Sequence, residues 1–114
     1  MTRTMGAENK RTKQATSRPS VKDLCWAAGF VEGEGSFHRT PNGSNDICVT
    51  QVNYEPIGKL LSLFGGNVKL RHRPTPQQPI WIWRANGARG RGIMMTLYTL
   101  MSTKRQEQIR VALR

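Results

Sequence analysis

The chain has 114 residues, 37% of them hydrophobic, enough for one modest core and too few for a second domain. Lys and Arg number 18 against 7 Asp and Glu, and the resulting net charge of +11 favours a polyanion as partner. No apolar run reaches the ~18 residues of a membrane span and the N-terminus lacks a secretory apolar core, so an intracellular protein with no membrane contact is expected.

Residues 1–19 carry Arg3, Lys10, Arg11, Lys13 and Arg18 against Glu8 alone and show no apolar period. They read as a basic tail, disordered when free, which either follows phosphates or is simply solvated. Acid-poor and rich in Ser and Thr, the tail leaves an organelle transit segment open, although the amphipathic pattern of one is missing. The remainder, 20–114, is expected to form a single domain.

Ser20-Val21-Lys22-Asp23 is a capping box for a first helix, and the run that follows is almost free of polar side chains until Glu32. At helical spacing Cys25, Gly29 and Gly33 share one face, while Trp26 and Phe30 fall on a neighbouring one. Glycine inside a helix costs about 1 kcal/mol against alanine, so two of them four apart suggest a seam where another backbone approaches. The bulky face is expected to enter the core. Glu32 and Glu34 close the helix against its dipole, a conflict that a nearby cation would resolve.

A strand through Phe37–Thr40 and another over 47–52 flank Asn42-Gly43, a hairpin signal. Ser36, His38 and Thr40 share one face of the first; Ile47, Val49 and Val52 look inward from the second. Asn53 caps a second helix with a stripe of Ile57, Leu60, Leu61 and Phe64, ended by Gly65-Gly66. In 68–73 the odd positions Lys69, Arg71 and Arg73 are all basic and point one way from a strand, with Val68 and Leu70 toward the core. After a Pro-rich turn, 80–85 forms a further strand. Its tryptophans Trp81 and Trp83 are assigned to the core, which puts Ile82 and Arg84 on the outer face beside Lys69, Arg71 and Arg73. The four cations have no intervening acid on this reading, and such a ribbon fits the DNA major groove, where Arg or Lys reaches guanine O6 and N7.

Residues 86–92, with three glycines and two arginines, read as a flexible basic loop that either touches phosphates or merely connects. Ile93, Leu97 and Leu100, with Met94 and Met101 alongside, make a third helix, and Ser102 caps a fourth running to Leu113. Cys25 and Cys48 lie in apolar surroundings without a C-x-x-C and read as free buried thiols; no ligand spacing joins them to His38 and His72 in a zinc site.

The segment Ala27-Ala28-Gly29-Phe30-Val31-Glu32-Gly33-Glu34-Gly35, continued by Ser36-Phe37, resembles the signature of the LAGLIDADG homing endonucleases. It departs from that signature in Ala27 for Leu and in Glu at both acidic positions. The order helix, hairpin, helix, hairpin, helices is also similar to the αββαββα layout of the family, and Lys104 stands in a terminal-helix pattern resembling the family's. The resemblance implies an α+β fold with a four-stranded antiparallel sheet and helices on one face. One copy of the motif implies a homodimer joined through Cys25, Gly29, Glu32 and Gly33. It implies a metal-binding carboxylate at Glu34 with the Gly33 carbonyl as a further ligand of Mg2+, a water-positioning Gln51 and a charge-stabilising Lys104. Glu55 falls where a basic or neutral group is expected.

The function so implied is site-specific cleavage of double-stranded DNA at a long near-palindromic site, in the setting of an intron or other mobile element. Ser36, His38, Thr40, Lys69, Arg71, Arg73, Ile82 and Arg84 would face the duplex. Two other readings stand beside it: a non-cleaving DNA-binding regulator or RNA-binding intron maturase on the same fold, and a basic structural protein of a ribonucleoprotein.

Overall fold

A computed structural model describes residues 12–16 and 18–114. The first helix, α1 (Val21–Glu34), starts at the expected box: Ser20 Oγ accepts from Asp23 N and Asp23 Oδ2 accepts from Ser20 N, each at 3.1 Å. The chain then turns straight into a strand without a loop. At Gly35 a Cβ would stand 2.7 Å from Val31 Cγ1 and 2.9 Å from Val31 O, so only glycine lets the backbone leave the helix this tightly. Glu34 is thereby held directly against the start of the sheet.

The sheet contains β1 (Gly35–Arg39), β2 (Asn45–Gln51), β3 (Asn67–Arg71) and β4 (Ile80–Asn86), antiparallel throughout in the order β1-β2-β4-β3. The helices α2 (Tyr54–Phe64), α3 (Gly87–Leu97) and α4 (Thr103–Ala112) complete the α+β fold, with a short 3-10 turn at Tyr98–Leu100. Asn53 and Ser102 cap α2 and α4 as expected, accepting from Glu55 N and Arg105 N.

One face of the sheet is covered. Phe37, Ile47, Val49, Trp83 and Ala85 project from it into a core completed by Ala27, Ala28 and Val31 of α1, Ile57 and Leu60 of α2, Ile93, Met94 and Leu97 of α3, and Ile109 and Ala112 of α4. Trp83, fully buried, also donates from Nε1 to Gly65 O at 2.9 Å, satisfying its one polar atom. No helix among the described residues is long and apolar enough to cross a membrane.

Several expectations need correction. The small residues Ala27, Ala28 and Val31 enter the core, whereas Trp26 and Phe30 stack on each other at 5.4 Å and stay half-buried, because α1 lies close to the sheet. Cys25 is exposed. Val52 is exposed beyond the end of β2, Leu70 is exposed on the edge strand β3, and Leu100 is exposed in the 3-10 turn.

Residues 87–92 are not a loop but the first turns of α3. Gly90 is buried there, and a Cβ on it would come within 2.7 Å of Ala85 O and 3.1 Å of Asn45 O. Close packing on the β2–β4 backbone overrides the poor helix propensity of three glycines. The tail is divided. Residues 1–11 and 17 lie outside the described residues, while Lys13 exchanges main-chain hydrogen bonds with Gly66 and Thr16 N donates to Ser62 O at 2.9 Å. The segment 12–16 is thus docked on the domain rather than a free tail.

Candidate nucleic-acid interface and catalytic end

The helix-free face of the sheet follows from register. Ser36 pairs with Cys48, Cys48 with Arg84, Thr50 with Ile82, and Ile82 in turn with Lys69, while His38 pairs with Asp46 and Arg71 with Ile80. Side chains directly opposite across a ladder point the same way, so Ser36, His38, Lys69, Arg71, Ile82 and Arg84 share the open face as expected. His38 Nε2 lies 3.1 Å from Ser36 Oγ, and Thr40 Oγ1 sits in the turn, accepting from Ser44 N at 3.0 Å. Lys69 and Arg71 are exposed.

Three members of the predicted set behave differently. Arg73 lies past the end of β3, with Nε donating to Gln78 O at 2.7 Å, so it braces the following turn instead of the strand face. Ile82 is only 2% exposed and forms the floor between neighbouring side chains. Arg84 has an acid beside it: Asp46 Oδ2 lies 3.5 Å from Arg84 Nε, with Asp46 itself 7% exposed. The open face therefore does contain an intervening carboxylate. Burial pushes the Asp46 carboxyl above the usual range, and the Arg84 and His38 charges oppose that shift. Sequence reasoning passed over Asp46 although the signal was there, since Ile47 and Val49 facing inward force Asp46 and Cys48 outward.

Where β1 begins, the end of α1 meets the start of α4. The C-terminal turn of α1 carries Glu32, Gly33 and Glu34. Glu32 accepts from Ser102 N at 3.0 Å and from Ser102 Oγ at 2.7 Å, while Arg105 Nε donates to Glu32 O at 2.9 Å. These bonds fasten the start of α4 to the end of α1 and hold the Glu32 carboxyl below the usual range, the Ser102 main-chain N–H being the largest cause. Within one chain Glu32 is thus committed to α4, a tie that no local sequence signal announced. Lys104 follows Ser102 by two residues and Glu34 follows Glu32 by two; both are exposed.

Gln51 ends β2. Gln51 pairs with Trp81 as Val49 pairs with Trp83, so its side chain leaves β2 on the helix-covered side of the sheet. Its Oε1 accepts from Val52 N at 3.0 Å. Glu34 and Lys104 thus each lie two residues beyond the Glu32–Ser102 bond, and Gln51 ends the strand that pairs with β1. The Gly33 carbonyl belongs to the last helical turn, where carbonyls have no intrahelical partner. A carboxylate and a carbonyl oxygen are donors suited to a hard divalent cation. One chain supplies only this pair here; among the described residues no three His, Cys, Asp or Glu side chains are grouped to hold a metal.

On the outer side of α1, Cys25, Gly29 and Gly33 are all exposed, and a Cβ at either glycine would meet nothing within 4 Å. No family model matches the chain, and no curated protein is recognisably similar to it.

Proposed function

We propose that this protein is a site-specific double-strand DNA endonuclease of the single-motif LAGLIDADG homing type, acting as a homodimer with Mg2+. The observation that carries the reading is the bond of Glu32 to Ser102, which sets the α1 end with Glu34 against the α4 start with Lys104, beside an uncovered glycine face on α1 and a basic, helix-free sheet face. The element order αββαββ followed by two helices, and a four-stranded antiparallel sheet, support it.

In this reading two α1 helices meet through Gly29 and Gly33, where the absence of side chains permits close backbone approach. The two Glu34 carboxylates then stand side by side, and like charges that close raise each other's pKa unless a cation neutralises them. Glu34 and the Gly33 carbonyl of each copy would hold the ion. When bound, such an ion activates water and stabilises the leaving 3′ oxygen of a phosphodiester. Gln51 orients the attacking water through its amide. Lys104, at the positive end of α4, donates to the phosphate oxygens as negative charge builds on them. One Glu34 per strand accounts for cutting both strands, and the sheet faces of the two copies read the two halves of a near-palindromic site.

The test is incubation with a randomised duplex library and Mg2+, for the wild type and for Glu34→Gln. Cleavage by the wild type, abolished in the variant with binding retained, is the expected result. Binding without cleavage would make the protein a regulator instead, preferential binding of folded RNA a maturase, and no sequence preference at all would refute both.

A further inference from the structure

Asp46 has no evident structural purpose on the open face of the sheet. Among the described residues its buried Oδ1 has no hydrogen-bond partner, and the same holds for Nε of Arg84, since the 3.5 Å gap to Asp46 Oδ2 makes an ion pair but not a hydrogen bond. An ion pair with one partner buried stabilises a fold no better than a well-packed apolar pair would. Its effect lies in where it holds the arginine. Arg84 Nη2 also donates to Cys48 Sγ at 3.6 Å, so two side chains of β2 restrain the guanidinium from one side. The arginine side chain still keeps 42% of its surface exposed. It borders a cavity of about 290 Å³ shared with Lys69, Asn86 and the buried Ile82.

We infer that Asp46 is a positioning residue that aims Arg84 at the major-groove edge of one guanine in each half-site, so that Arg84 specifies a base rather than clamping a phosphate. The inference rests on the endonuclease reading above and names a base contact within it. Two physical effects support the choice of base over backbone. A carboxylate at this depth repels phosphates, lowering the non-specific attraction of the arginine beside it. A guanidinium with one side already restrained by β2 loses less freedom on forming the planar two-bond contact that guanine O6 and N7 offer. Lys69 and Arg71, exposed and without a facing acid in the register, are left to the sequence-independent part of binding.

Selection from a randomised duplex library followed by sequencing tests this with wild type, Asp46→Asn and Arg84→Lys. The wild type should prefer guanine at one position of each half-site by about five- to a hundredfold. Arg84→Lys, which keeps the charge but loses the planar fork, should erase the preference there and leave the other positions intact. Asp46→Asn should flatten the same position while tightening overall binding and steepening its salt dependence, a combination that simple loss of fold does not produce. A preference retained in Asp46→Asn, or a uniform loss across all positions in both variants, would overturn the inference while leaving the cleavage reading intact. A wild type without any sequence preference would overturn both.

Discussion

Gly29 in the middle of α1 lets the uncovered helix face be tested by the sign of a single substitution. In the isolated chain a methyl added at Gly29 meets nothing within 4 Å, so Gly29→Ala gains the helix-propensity difference of about 1 kcal/mol without any clash. For a domain of this size that raises the melting temperature by about 4–8 °C. Gly90→Ala is the internal contrast. The same propensity gain applies in α3, but the methyl would lie 2.7 Å from Ala85 O, which belongs to β4 and cannot swing aside as a side chain can. Overpacking of this kind costs about 1–3 kcal/mol, so the melting temperature should fall. Thermal unfolding followed by circular dichroism at low protein concentration, where association is disfavoured, reads both. At high concentration the benefit of Gly29→Ala should shrink or reverse, because the methyl then stands in the proposed seam between copies. A fall in melting temperature for Gly29→Ala at every concentration would show that the face is covered by something within the chain and refute the reasoning. An unchanged gain at every concentration would refute the seam.

Asn45 is 2% exposed, donates to Ala112 O at 2.5 Å and accepts from Arg91 Nε at 3.0 Å, joining β2 to α3 and α4. Asn45→Ala should cost about 1–3 kcal/mol for the stranded groups, read as a shift of the urea midpoint, whereas Asn42→Ala in the exposed turn should change little. Glu32 and Asp46 should act oppositely on acid stability. The carboxyl of Glu32 is lowered by Ser102, so its contribution is complete above the ordinary glutamate pKa and is lost as pH falls through the lowered value. That of Asp46 is raised by burial, so its contribution is complete below the ordinary aspartate pKa and is lost as pH rises through the raised one. Denaturation midpoints between neutral and acid pH should therefore fall less steeply for Glu32→Gln than for wild type; parallel curves would show that the tie to Ser102 contributes nothing.

The parts of the fold that depend on a few neighbouring residues were legible in the sequence. Ser20 with Asp23, Asn53 and Ser102 cap their helices because a side chain and an amide two or three residues on suffice. Alternation in 68–73 and 80–85 likewise indicated the faces of Lys69, Arg71, Trp83 and Arg84, since side-chain period is a property of the strand itself. What escaped depends on distant partners. The helix through Gly87–Gly92 exists because Gly90 fits against β2 and β4, a contact 45 positions from Asn45 that no local rule contains. The ion pair of Asp46 with Arg84 needs the β2–β4 register, and the bond of Glu32 to Ser102 spans 70 positions. At the candidate site the motif located Glu34 and Gly33, but the clasp of Glu32 on Ser102 and Arg105 that fixes the start of α4 was invisible until the chain was folded.

The bridge between Lys13 and Gly66 bears on how the molecule behaves in company. Their two main-chain hydrogen bonds, 2.7 and 2.8 Å, occupy the backbone just where the outermost strand β3 begins. Bare strand margins are templates on which stray chains assemble into aggregates. A foreign strand arriving at that corner must first evict this short strap, so shortening the protein past residue 16 should trade a small loss of charge for a marked tendency to precipitate.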